Sequence, residues 1–116
     1  MRESDVAGWV DRYTSAWGSN DPEQIGSLFT SDAEYFTAPF RTPWRGRQGI
    51  IDGWLARRDE PGSWNFSYEV DAIAGNRSFV KGRTEYPGDT TYRNLWEITL
   101  NASGDCLRFV EWWMVE

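Results

Sequence analysis

Apolar residues recur at three- and four-residue spacing along the first half of the chain, and at every second residue from about Ser63 onward. Val6, Trp9, Val10, Tyr13 and Trp17 share one helical face, which predicts a first helix over residues 4–19 with Ser4 as its N-cap. Asn20-Asp21-Pro22 stops that helix and opens a short second one, with Asp21 as cap and Pro22 in the first turn. The second helix carries Ile25, Leu28 and Phe29. A strand at 34–37 and a loop marked by Pro39, Pro43 and Gly46 lead to a third helix at 48–58, whose stripe is Ile50, Ile51, Trp54 and Leu55. Beyond Ser63, Trp64, Phe66, Tyr68 and Val70 alternate with Asn65, Ser67 and Glu69. Turns at 74–77, 87–89 and 101–105 then separate strands at 78–86, 91–100 and 106–115. Helices followed by a long antiparallel meander predict one α+β domain over 1–116, its helices packed on one face of a curved sheet.

The last strand carries an irregularity. Glu111 shares parity with Leu107, Phe109, Trp113 and Val115, and a carboxylate on an apolar face is costly unless it is paired, hydrogen-bonded or protonated. The interior is therefore a candidate site. Arg83 and Glu85, two residues apart, leave the same face of their strand. A guanidinium between Glu85 and Glu111 would lower both pKa values, and unequal burial would leave one acid ionised and the other protonated. The same three residues also fit a structural or ligand-orienting network, or an exposed face for Arg83 and Glu85. Trp17, Phe29, Trp54, Trp96, Phe109 and Trp113 are candidates for an aromatic cavity wall or for ordinary core. Tyr13 and Tyr92 could donate to a ligand. Asp32 either reaches the interior or makes local backbone bonds, and Lys81 is either an interior cation or a solvated strand residue. Trp112, opposite in parity to Glu111, joins Val110 and Met114 in an outer apolar strip suited to a homodimer.

Composition narrows the chemistry. Hydrophobic residues at 40% and charged residues at 26% describe a globular rather than a disordered chain. Eight Trp point to a partly hollow interior, an interface or a Trp-rich core. A net charge of −6, with no basic run longer than Arg57-Arg58, argues against nucleic acid as a partner. The chain has no His, so acid–base work falls to Asp, Glu, Tyr or Lys. A lone Cys106 and no carboxylate cluster at ligand spacing lead us to expect no disulfide, no metal and no cofactor. No secretory or membrane-spanning segment is evident, so a cytoplasmic location is expected, and the sequons at Asn65, Asn76 and Asn101 read as chance.

Several pieces resemble the NTF2-like superfamily, specifically its small bacterial SnoaL-like members. They are Leu28-Phe29-Thr30-Ser31-Asp32-Ala33-Glu34-Tyr35, Trp44-Arg45-Gly46-Arg47, and the ending Tyr92, Trp96, Gly104 and Phe109-Val110-Glu111-Trp112-Trp113. The resemblance covers nearly the whole chain. It implies a cone in which a bent sheet wraps a pocket closed by helices, often dimerised through the outer sheet face. Such folds serve isomerases, cyclases, dehydratases, epoxide hydrolases and binding proteins, so activity has to come from the site.

The chain also looks like a variant of the limonene-epoxide-hydrolase-like pattern. Tyr35, Thr37 and Pro39 match a Tyr-x-Asn-x-Pro strand, Arg83-Thr84-Glu85 matches Arg-x-Asp, and Glu111 stands where a late acid would be. That likeness implies a water held by Tyr35 and Thr37 and two acids coupled by Arg83. Glu85 for Asp moves the carboxylate by about 1.5 Å, and Thr37 lacks the amide donor of Asn. Three readings follow. The first is a protein binding a small apolar or weakly polar molecule in an aromatic pocket oriented by Arg and Glu groups. The second is a cofactor-free acid–base enzyme, and the third is an interaction module with a merely packed interior.

Overall fold

The computed structural model describes residues 1–116. Three helices precede most of the sheet: α1 (Glu3–Ser19), α2 (Pro22–Ser27) and α3 (Gly46–Ala56). Six strands follow or interleave: β1 (Phe29–Phe36), β2 (Trp44–Arg45), β3 (Asn65–Ala74), β4 (Arg77–Glu85), β5 (Thr91–Leu100) and β6 (Cys106–Val115). Their order is β2-β1-β6-β5-β4-β3, with β1 parallel to β6 and every other pair antiparallel. The fold is the expected α+β cone, helices on the concave side of a curved, unclosed sheet.

Local departures have local causes. Arg2, not Ser4, is the N-cap of α1, because Asp5 reaches back to accept the Arg2 backbone N–H at 2.9 Å. Asn20 ends α1 in the left-handed region, φ 54°, and Asp21 caps α2 by accepting from the Glu23 N–H at 3.0 Å. β1 starts at Phe29 rather than near residue 34, since it aligns with β6 from Phe29 opposite Cys106 to Phe36 opposite Val110. That pairing joins segments far apart in sequence, which local periodicity does not register. Gly46, at φ 73°, turns the chain directly from β2 into α3, two residues earlier than expected.

The core lies between α1 and the sheet. Val6, Trp9, Val10 and Tyr13 pack against Phe29, Trp96, Ile98 and Phe109, and Trp9 satisfies its indole N–H on the Leu28 carbonyl at 3.0 Å. Each such large side chain contributes roughly 1.5–3 kcal/mol by leaving water. Two glycines seat rings instead of bearing side chains. A Cβ on Gly82 would lie 2.6 Å from the Phe66 ring, and Phe66 in turn stacks on Trp96 at 4.8 Å. A Cβ on Gly53 would overlap Trp44, which stacks on Tyr35 at 4.8 Å.

The inner face of β4 presents Ser78, Val80 and Thr84, with Gly82 between them. In β6 a bulge opposite Thr99 and Leu100 sets Leu107 apart from the inward series. Leu107 is therefore exposed, and does not share a face with Phe109 and Glu111 as strict alternation predicts.

Candidate functional site

A cavity of about 530 Å³ lies between the helices and the inner face of the sheet. Tyr13 and Trp17 reach it from α1, Tyr35 and Thr37 from the end of β1, and Trp54 from α3. Tyr92 and Trp96 of β5, with Glu111 and Trp113 of β6, supply the sheet side. All nine are residues the sequence singles out. Phe29 and Phe109 are fully buried core and do not line the cavity. Asp32 is exposed and accepts from the Thr30 hydroxyl at 3.0 Å, so it neither reaches the interior nor makes the local backbone bonds expected as its alternative.

Glu111 is held without a cation in contact. Its Oε2 accepts from the Asn94 amide at 2.8 Å and from the Trp96 indole N–H at 2.9 Å. Thr84 donates to the Asn94 carbonyl oxygen at 2.8 Å, which turns the amide NH2 toward Glu111. The other carboxylate oxygen receives no protein donor and is not among the buried unsatisfied atoms, so it opens onto the cavity. Burial pushes the Glu111 carboxyl above its ordinary range, against the opposing pull of the two hydrogen bonds and of the Arg57 guanidinium.

The expected bridge from Arg83 to Glu111 is not formed. Arg83, Glu85 and Lys81 alternate with the inward residues of β4 and stand on the convex side. Arg83 donates to Glu116 at 3.0 and 3.1 Å and lies 3.8 Å from Glu85. Lys81 pairs with Asp71 at 3.3 Å. Arg93, on the same side, donates to Glu116 at 2.6 Å. The two-acid arrangement is thereby corrected: one carboxylate faces the cavity floor, and its anchors are Asn94 and Trp96. Asn94 was detectable in the sequence, since it shares parity with Tyr92 and Trp96.

Above Glu111, the hydroxyls of Tyr13 and Tyr35 meet at 2.7 Å. Burial raises the pKa of both, and the nearby Glu111 charge raises them further, so both stay neutral and one hydroxyl hydrogen remains to donate. On the opposite wall, Asp59 accepts the Trp17 indole N–H at 2.9 Å and the Tyr86 hydroxyl at 2.8 Å on the same oxygen. This ties the segment between α3 and β3 across the cavity edge. Trp64 stacks on Trp17 at 3.7 Å there, its own N–H buried without an acceptor. Arg57 and Arg58, at the end of α3, also line the opening. Chemically, an open carboxylate oxygen can accept an O–H or N–H, or take up a proton, while a neutral tyrosine pair can donate to a carbonyl. No three Asp, Glu, Cys or His side chains converge to hold a metal. No helix is long and apolar enough to cross a membrane.

A helix-capped, six-stranded cone enclosing such a cavity defines the NTF2-like class of α+β proteins. The chain belongs to the SnoaL-like domain family, whose model matches residues 10–115. Solved structures agree on the fold. An NTF-2 like protein of unknown function from Burkholderia xenovorans LB400 is 15% identical, with a TM-score of 0.74 over 97% of this chain and 85% of that one. An NTF2-like protein of unknown function from Mesorhizobium loti is 19% identical, with a TM-score of 0.72 over 100% of this chain and 94% of that one. A ketosteroid isomerase-like protein from Erwinia carotovora atroseptica SCRI1043 is 17% identical, with a TM-score of 0.68 over 94% and 93%. No curated protein sequence matches the chain.

Proposed function

We propose that this chain binds a small organic molecule in the aromatic cavity and orients it through Glu111. The observation that carries the reading is the half-satisfied carboxylate: one oxygen clamped by two neutral donors, the other open to about 530 Å³ of aromatic-walled space. A cavity of this size with a few converging polar groups is the usual form of a ligand site, and a merely packed interaction module has no use for it. The test is native mass spectrometry of protein purified without denaturant, followed by calorimetric titration with small aromatic alcohols. A bound mass or a saturable heat that falls in Glu111→Gln, with folding retained, supports the reading. No binding by either measurement overturns it.

Acid–base catalysis is the second reading, favoured by the upward shift of Glu111 beside a neutral tyrosine pair. Glu111 would move a proton and the Tyr13–Tyr35 pair would donate to developing negative charge. Glu85 has no part in it. Turnover of an epoxide or ketosteroid panel that disappears in Glu111→Gln would establish it. Dimerisation is also part of the proposal, through the convex face where Trp112 and Met114 are exposed at 48% and 66%. Sedimentation of Trp112→Glu as a monomer against a wild-type dimer is the expected result.

A further inference from the structure

Arg57 is a cation whose charge the fold leaves unused. Arg41 and Arg108 lie over phenyl rings, Arg47 and Arg58 donate to backbone carbonyls, and the remaining cations pair with carboxylates. Arg57 does none of these, yet it lines the cavity and acts electrostatically on both Glu111 and Tyr35 within it. The nearest acid in sequence on that segment, Asp59, could have neutralised it. Asp59 is instead turned toward the Trp17 indole and the Tyr86 hydroxyl. Arg57 and Arg58 share the cavity lining with Asp59 and Asp89, and Arg58 donates to the Leu55 carbonyl while Asp89 accepts from the Thr90 hydroxyl, so of these four charges Arg57 is the one whose side chain has no partner.

The geometry points to Arg57 as an anion-recognition residue: the cavity's ligand carries a carboxylate at the end facing the mouth and a hydrogen-bond donor at the end meeting Glu111, with a flat apolar body between. This rests on the ligand-binding reading above and goes further by assigning charge and direction to the ligand. The two ends of the cavity differ in what they leave free. An acid is repelled from the floor by Glu111 and finds a guanidinium without a partner in Arg57, while a hydroxyl finds at the floor the open oxygen of Glu111. A planar carboxylate suits the guanidinium fork better than a point charge does. Trp54, Trp96 and Tyr13 supply the apolar walls between the two ends.

Four naphthalenes separate the elements of this assignment by calorimetry at neutral pH and low salt: 6-hydroxy-2-naphthoate, its methyl ester, 2-naphthol and 2-naphthoate. The hydroxy acid should bind about tenfold more tightly than 2-naphthol or the ester, a gain of the size expected for one charge-assisted contact. Arg57→Gln should erase that gain, read as the ratio of hydroxy-acid to 2-naphthol affinity within the same variant. Arg57 is exposed, so the variant should fold normally, which its circular dichroism checks. Arg83→Gln, on the convex side, should change nothing, and added salt should shrink the gain. Glu111→Gln should weaken the three hydroxyl compounds more than 2-naphthoate. A hydroxy acid that binds no better than 2-naphthol, or a gain that survives Arg57→Gln, overturns the anion assignment while leaving the cavity as a ligand site. Failure of all four compounds to bind overturns the anion assignment, and together with no bound mass in the native spectrum it overturns the ligand site as well.

Discussion

Glu111 meets two neutral donors on the concave side of the sheet, whereas Glu116, just past the end of β6, meets two guanidiniums on the convex side. The chemical group is the same and the consequences are opposite. Around Glu111, burial dominates and the carboxyl is pushed up; around Glu116, the Arg83 and Arg93 contacts dominate and the carboxyl is pulled down. A carboxylate locked by cations in water has little left to offer a ligand. One held in place by uncharged donors keeps both an open oxygen and a proton affinity that its surroundings can adjust. The contrast supports the proposed ligand role for the floor of the cone, while the outer network is a set of surface ion pairs.

The largest test removes the inner acceptor. Glu111→Leu leaves the Trp96 indole N–H and the Asn94 amide facing an apolar group, and should cost about 2–4 kcal/mol in urea unfolding. A loss under about 1 kcal/mol would mean that cavity water replaces the carboxylate freely. Glu111→Gln keeps an acceptor oxygen and isolates the charge. Because the folded-state pKa of Glu111 is raised, its titration contributes stability below the unfolded-state pKa and loses it as pH rises through the folded value. Gln has no such loss, so the melting temperature of the variant relative to wild type should climb between pH 4 and pH 8. A flat difference would mean that burial does not perturb Glu111. The smallest effect belongs to Glu116→Gln. Its lowered pKa gives the opposite sign, with stabilisation present above the ordinary carboxyl pKa and lost as pH falls. The exposed ion pairs are screened, so the difference should vanish in 1 M salt. A salt-resistant loss would make the outer network more than a surface feature.

Much of this was visible in the residue pattern, and the failures have physical causes. The helical stripe placed Tyr13, Trp17 and Trp54, and the period-two stripe placed Trp96 and Glu111, because burial on one face imposes those spacings. β4 lacked such a signal. Its inner face is Ser78, Val80, Gly82 and Thr84, while Phe79 lies outside, so apolar alternation is nearly absent. There the likeness of Arg83-Thr84-Glu85 to an Arg-x-Asp strand pointed to the wrong face. Pairing of β4 with β5, which sets Thr84 opposite Tyr92 and Arg83 opposite Arg93, settles the orientation. Arg57 and Asp59 were silent for another reason: the path of the segment after α3 decides what they face, and no periodicity describes it.

The two ring seats carry a last consequence. Phe66 can lie against Trp96 only because position 82 offers bare backbone, and Trp44 can lie against Tyr35 only because position 53 does. Trp96 grips Glu111, and Tyr35 is one half of the hydroxyl pair, so each seat sits one ring away from a polar group of the cavity. Across descendants of this chain, a methyl gained at either glycine should be accompanied by a smaller residue at 66 or 44; the change at 66 would reshape the interior from behind, whereas the change at 44 would alter the cavity wall itself.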